Sequence, residues 1–244
     1  MTKIIAIINY KGGVGKTSVT FNLGAAIQRQ GKKVLLIDLD GQAALSFAAL
    51  GPEPGQVSKT LYDFLLYEAP PDIQIIEPGF DIIPGSLKLN EIEHKRIYDK
   101  DKILGRALSN IKGYDFILID TPPALNIFTL MALRAADSAY IIVCADFLSI
   151  RSLIAVLEAL RALKIRAEKG IIVNLFDQRR NIEKDLFRTL KKDYGDAVFK
   201  TPLRRSVLIP EGIILHKNIF QYRKNSPVAK DFESLAREVT RRNK

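Results

Sequence analysis

A chain of 244 residues that is 47% apolar and 26% charged has the usage of a folded globular protein and lacks the polar, highly charged mixture that keeps a segment disordered. Its apolar runs, such as 139–145 and 116–119, fall far short of the roughly 18 residues a membrane-spanning helix needs, and the five apolar residues ahead of Asn9 make a poor secretory signal; the expectation is a cytoplasmic protein with no integral membrane association. The net charge of +10 is unevenly placed: residues 151–244 hold 22 of the 37 Lys and Arg and 11 of the 27 Asp and Glu, so this segment carries +11 and the remainder −1. Such an excess is the footprint of a polyanion partner, nucleic acid or anionic lipid, although solubility alone also accounts for it.

In chain order, residues 4–8 form a short, nearly continuous apolar run, and so do 34–37, 116–119, 139–144 and 171–173, as suits strands buried on both faces of a parallel sheet. Val19, Leu23, Ala26 and Ile27 recur at helical spacing before Gly31, as do Leu153, Val156, Leu157 and Leu160 further on. Gly51-Pro52-Glu53-Pro54-Gly55 and Ala69-Pro70-Pro71-Asp72 punctuate a stretch with few strand signals, read as loops and short helices. The last helix carries the stripe Val228, Phe232, Leu235 and Val239, with Lys230, Asp231, Arg237, Glu238 and Arg241 on its opposite face. The alternation predicts an α/β fold, a doubly wound, mostly parallel sheet flanked by helices, in one domain over residues 1–244. The single cysteine, Cys144, excludes an internal disulfide and a multi-cysteine metal site, and reads as a buried strand thiol. His94 and His216 have no ligand spacing around them and read as structural or exposed.

Directly after the first strand stands Asn9-Tyr10-Lys11-Gly12-Gly13-Val14-Gly15-Lys16-Thr17, followed by a helix. Glycines let backbone N–H groups converge on phosphate oxygens, Lys16 reaches the β- and γ-phosphates, and the Thr17 hydroxyl coordinates Mg²⁺. Strand before and helix after distinguish a P-loop from a chance match. Gly12, Gly13, Val14, Gly15, Lys16, Thr17 and Ser18 are therefore the predicted ATP cradle. Two more strands run into carboxylates, at Asp38-Leu39-Asp40 and Asp120-Thr121-Pro122-Pro123, at the end of the sheet where α/β proteins bind ligands; Asp120 reads as the Walker B carboxylate holding Mg²⁺ through its waters.

Lys11 lies outside the ordinary Walker A pattern. With Asp38-Leu39-Asp40-Gly41-Gln42 and Asp120-Thr121-Pro122-Pro123 it makes the chain resemble the deviant Walker A ATPases of the ParA/MinD class, nearest to ParA-type partition proteins, over nearly its whole length. The resemblance implies an ATP-sandwich homodimer in which Lys11 reaches the partner's nucleotide, Asp40 orients the attacking water, Asp38 sits beside Mg²⁺ and Asn174 recognises adenine, unless Asn174 only caps a strand-end turn. It also implies slow ATP hydrolysis stimulated by a separate ParB-like or cargo adaptor, nonspecific binding of double-stranded DNA in the ATP state, and nucleoid association that positions a plasmid, a chromosome origin or a protein assembly. The chain departs from the pattern where Gly41 replaces a proline, which implies a looser switch loop, and at Arg204 and Leu208, where the usual motif has proline and arginine.

Arg179, Arg180, Arg204, Arg205, Lys217, Arg223 and Lys224 cluster in turns and helix starts and are the candidate DNA contacts; Lys and Arg on phosphate position a protein without reading sequence. Asp146 and Arg151 read either as dimer or partner surface or as a helix-end ion pair. Two other function classes stay open: a membrane-surface switch like MinD, which needs an amphipathic terminal helix, and a small-molecule synthase on the same P-loop; an iron–sulfur protein is set aside, because one cysteine cannot supply its ligands.

Overall fold

The computed structural model describes residues 1–52, 59–67 and 69–243. Its sheet has the strands β1 (Lys3–Ile8), β2 (Val34–Asp38), β3 (Gln74–Glu77), β4 (Phe80–Ile83), β5 (Phe116–Asp120), β6 (Ser138–Cys144) and β7 (Glu168–Asn174), in the spatial order β3-β4-β2-β5-β1-β6-β7. All pairings are parallel except β3 with β4. The helices are α1 (Lys16–Gln28), α2 (Ala44–Leu50), α3 (Leu61–Tyr67), α4 (Leu89–His94), α5 (Ile103–Ser109), α6 (Ile127–Ala135), α7 (Phe147–Ala162), α8 (Asn181–Tyr194), α9 (Leu208–Ile214), α10 (Ile219–Arg223) and α11 (Pro227–Arg242).

Each central strand is buried on both faces: β2 and β5 contain no exposed residue. Alternate side chains therefore feed two cores. Leu35, Ile37, Ile117 and Ile119 pack with Leu104, Phe128, Leu153 and Leu160 on one face, and Leu36, Leu118, Val19, Leu23, Phe232 and Leu235 pack on the other. The stripe of α11 is fully used here; burying Val228, Phe232, Leu235 and Val239 contributes about 1.5–3 kcal/mol each before conformational entropy is subtracted. Ser226 starts that helix by accepting the Ala229 N–H, with Pro227 at the first helical position, where a missing N–H costs nothing.

The five strands read from the sequence all form, as β1, β2, β5, β6 and β7, each extended at one end or both. The hairpin β3–β4 does not follow from the pattern, because four residues are too few to show a period and β3 is only partly buried. It builds the edge beyond β2. The loop reading at Glu53-Pro54-Gly55 lies outside the described residues; Gly51 next to it takes φ 86. Glu238, assigned to the solvent face of the last helix, is instead 9% exposed, since its carboxylate accepts the Lys200 and Thr201 N–H groups and the Thr201 hydroxyl. Cys144 ends β6 half-buried, opposite Asn174. At the β7 edge, residues 198–204 run alongside, the Leu203 N–H reaching Val173 and the Phe176 N–H returning to Leu203. This brings the basic segment at Arg204 beside the end of β7.

Candidate functional site

The strand order reverses at β1, and the loop of residues 9–15 leaves its carboxyl end there. Asn9 is buried and fixes the start of the loop, donating to the Ile142 carbonyl at 2.7 Å and accepting the Lys11 N–H at 2.9 Å. Gly13 and Gly15 take φ 75 and 87, a left-handed region costly for any residue with a Cβ. At Gly15 space decides as well, because a Cβ would collide with the Asn174 amide nitrogen. Gly15 caps α1 without a side-chain hydrogen bond, and the first turn holds no acid, so the N–H groups and positive dipole of α1 are open to an anion.

Asp38 and Asp120 are register partners at the ends of β2 and β5, both fully buried. The Thr17 hydroxyl donates to Asp120 Oδ2 at 2.6 Å and the Thr20 hydroxyl to Oδ1 at 3.3 Å. Burial pushes the Asp38 carboxyl up to about 6 against the hydrogen bonds from Ser46 and Asp40. Burial, then the charge of Asp38, hold Asp120 well above the usual carboxylate range, opposed by Thr17 and Lys16. Lys16 is 7% exposed, its ammonium weakened by burial and partly sustained by Asp120 and Asp40. Two abutting carboxylates with a hydroxyl between them and α1 are the hard oxygen donors that Mg²⁺ takes, and a dication relieves the repulsion of two buried like charges. Among the described residues no three His, Cys, Asp or Glu converge as a metal cage.

Asp40 is half-buried. Its N–H donates to Asp38 Oδ1 at 3.3 Å and its own Oδ1 accepts the Gln42 N–H at 2.9 Å. Gly41 does not take a positive φ; Ala43 does, at φ 52. What Gly41 supplies is space, because a Cβ there would collide with the Asn90 side chain of α4. The loop lies against α4 at this point.

Lys11 stays outside the cradle. Its ammonium donates to Asp146 Oδ1 at 3.2 Å and to the Ser149 hydroxyl at 3.1 Å. Asp146 also caps α7 by accepting the Ser149 N–H at 2.8 Å. Burial raises the Asp146 carboxyl, but the Ser149 donors and Lys11 outweigh it and leave it below its ordinary value. The cation of Asp146 is thus Lys11, and the pairing with Arg151 considered from sequence is replaced by it. Phe147 and Leu148 stand exposed beside this pair, at 69% and 61%.

Asn174 donates to the Val14 carbonyl at 2.8 Å, bracing the loop from the end of β7. With Gly15, Ser18, Leu203, Pro210 and Phe232 it lines a cavity of about 220 Å³. Leu203, Pro210 and Phe232 were not legible as site residues, for they come from three segments far from the loop. Thr20 had a signal, three residues after Thr17 on the same helix face.

The candidate DNA contacts divide. Arg179 pairs with Asp177 at 2.8 Å, Arg180 with Glu183 at 2.9 Å and Arg204 with Asp231 at 2.6 Å. Arg205, Lys217, Arg223 and Lys224 are exposed and, among the described residues, make no ion pair. Arg179, Arg204 and Arg205 nevertheless line one open cavity of about 430 Å³. His216 Nδ1 donates to the Phe47 carbonyl, 2.9 Å away, and its ring packs edge-on against the Phe47 ring; His94 is exposed at the end of α4. No helix among the described residues is long and apolar enough to cross a membrane.

Known proteins resemble this chain over most of its length. A family model described as an AAA domain matches residues 2–173. The chain is similar to the sporulation initiation inhibitor protein Soj of Bacillus subtilis, at 36% identity over 98% of each chain. It is similar to the chromosome partitioning protein ParA of Caulobacter vibrioides, at 32% identity over 99% of this chain and 95% of the relative. Among solved structures, a putative plasmid partition protein of Borrelia burgdorferi bound to AMPPNP superposes with a TM-score of 0.88 and 25% identity, covering 99% of this chain and all of that one.

Proposed function

The chain belongs to the ParA/MinD family of P-loop ATPases, and from that premise we propose that it is a ParA-type positioning ATPase: a nucleotide-switched homodimer that holds nonspecific double-stranded DNA in its ATP state and is released by adaptor-stimulated hydrolysis. The cofactors are ATP and Mg²⁺. Bound MgATP supplies the γ-phosphoryl group and the cation that neutralises charge on it. The backbone of residues 12–17 holds the phosphates, and Lys16 adds the buried positive charge that a triphosphate needs. Thr17, Asp38 and Asp120 hold the metal and its waters. Asn174 and the cavity beside it hold the base. Asp40 orients the attacking water, with only one direction on its Oδ1 taken by the Gln42 N–H; turnover without a partner is slow because the water is incompletely positioned. Localisation to the nucleoid and one domain over residues 1–244 belong to the same reading.

The observation that carries the proposal is Lys11. A lysine spliced into the phosphate loop but docked on Asp146 has no role in cradling its own nucleotide, and a dimer that brings a second triphosphate to it gives it one. The membrane-surface reading has less support, because the apolar stripe of α11 lies in the core and offers no apolar face to lipid. Asp40→Ala tests the proposal: it is expected to accumulate as an ATP-bound dimer on a sizing column and to be retained on random-sequence DNA. A monomer with no DNA retention in ATP sinks the reading, and sedimentation with anionic vesicles in its place favours the membrane switch.

A further inference from the structure

Ser46 belongs to no signature, yet its side chain has the densest hydrogen bonding on α2. It is 4% exposed. Its backbone N–H and its hydroxyl both donate to Asp38 Oδ2, each at 2.7 Å, and the hydroxyl accepts the Gly85 N–H at 2.9 Å. Three segments meet through this one side chain: the end of β2, the first turn of α2 and the loop after β4. Gly85 permits the junction, since a Cβ there would lie 2.6 Å from the Asp38 carbonyl oxygen and 3.1 Å from its carboxyl carbon.

This junction decides which part of Asp38 remains for the metal. A carboxylate offers about four acceptor directions, two on each oxygen. Ser46 takes both on Oδ2, while Oδ1 receives only the longer contact from the Asp40 N–H, at 3.3 Å. We propose that Ser46 is a positioning residue for the metal, occupying Asp38 Oδ2 so that Oδ1 alone faces the ion's water shell. The inference rests on the MgATP reading of the site and names a residue that touches neither nucleotide nor metal. Partners of this kind are typically worth about 10- to 100-fold in metal affinity or activity.

The test uses the full chain with ADP and with Mn²⁺ in place of Mg²⁺, reading free Mn²⁺ by electron paramagnetic resonance. Ser46→Ala is expected to weaken Mn²⁺ binding about tenfold or more, and to leave the affinity for a fluorescent ADP in EDTA unchanged, because the loop of residues 12–17 is untouched. Ser46→Thr, which keeps the hydroxyl, is expected to stay within about threefold of the parent protein. If Ser46→Ala does not fold by circular dichroism, Ser46→Cys fills the same space with a weaker donor and carries the same expectation. Mn²⁺ affinity unchanged in the folded Ala or Cys variant overturns the proposal, and so does a loss in Ser46→Thr as large as in Ser46→Ala, which reassigns the effect to packing. A parent protein that binds no Mn²⁺ with ADP defeats the MgATP reading itself, a result distinct from the other two.

Discussion

The phosphate loop and the basic C-terminal segment both gather cations, and they handle them in opposite ways. In the loop, Lys16 is buried and weakened by burial, a charge kept out of water with too little around it to compensate. In the basic segment, Arg179, Arg180 and Arg204 are already committed to Asp177, Glu183 and Asp231, while Arg205, Lys217, Arg223 and Lys224 are exposed and make no ion pair among the described residues. The first region is preorganised for one anion in one place. The second presents a field, which suits a polyanion read by charge and not by sequence. Net charge therefore overstates the number of phosphate contacts: part of the +11 in residues 151–244 holds the segment's own turns together.

The largest test of this contrast is Lys16→Ala, expected to lower ATP hydrolysis by about 10²–10³-fold, with the protein still folded. Lys11→Ala should differ in kind, retaining ADP binding by the monomer and losing the ATP dimer; calorimetry and sizing separate the two. In the basic segment, removing Arg205, Lys217, Arg223 or Lys224 singly is expected to make the slope of log affinity against log salt shallower by about 0.9 for each DNA phosphate that is no longer neutralised. Arg204→Ala should change that slope less and instead cost about 1 kcal/mol in denaturant unfolding, because Asp231, at 12% side-chain exposure, is left without its cation.

Acidity separates the regions again. A carboxyl whose folded value is raised, as at Asp38 to about 6, binds its proton more tightly folded than unfolded. Its contribution to stability is complete below about pH 4 and is lost as pH rises through 6. The metal-free protein is expected to lose melting temperature from this site across that window, and saturating Mg²⁺ with ADP to flatten the loss. Asp177 has the opposite sign, held far below the carboxylate range by Arg179. Its contribution is present above about pH 4 and fades as pH falls further; with Arg179 standing in solvent, the effect is expected to vanish in high salt. The smallest change is Asp146→Asn, which keeps the α7 cap acceptor and removes the charge that holds Lys11. It is expected to lower the ATP concentration for half-maximal dimerisation by about two- to fivefold.

The central strands and the phosphate loop were legible because their signals are local. Residues 4–8 and 116–119 are apolar throughout, as suits a strand covered on both faces, and glycines beside Lys16 and Thr17 carry their own geometry. The β3–β4 hairpin escaped for want of length. Glu238 escaped because periodicity assigns a face and not a partner: its position is polar by spacing, yet it accepts the N–H groups of Lys200 and Thr201 from across the fold. Gly41 shows the same limit. Its sequence context speaks of backbone freedom, and its use here depends on Asn90 from another helix. Pairings such as Lys11 with Asp146, 135 residues apart, are visible only once the sheet has brought β1 beside β6.

A positioning switch requires that the basic segment answer to the nucleotide. Binding of the purified protein to a random-sequence duplex, with Mg²⁺ and ATP, ADP or no nucleotide across a salt titration, asks this directly. Tight, sequence-indifferent binding is expected in ATP alone, with a steep negative salt slope of roughly 0.9 per phosphate contact. Equal binding in all three states, or none in any, contradicts the switch.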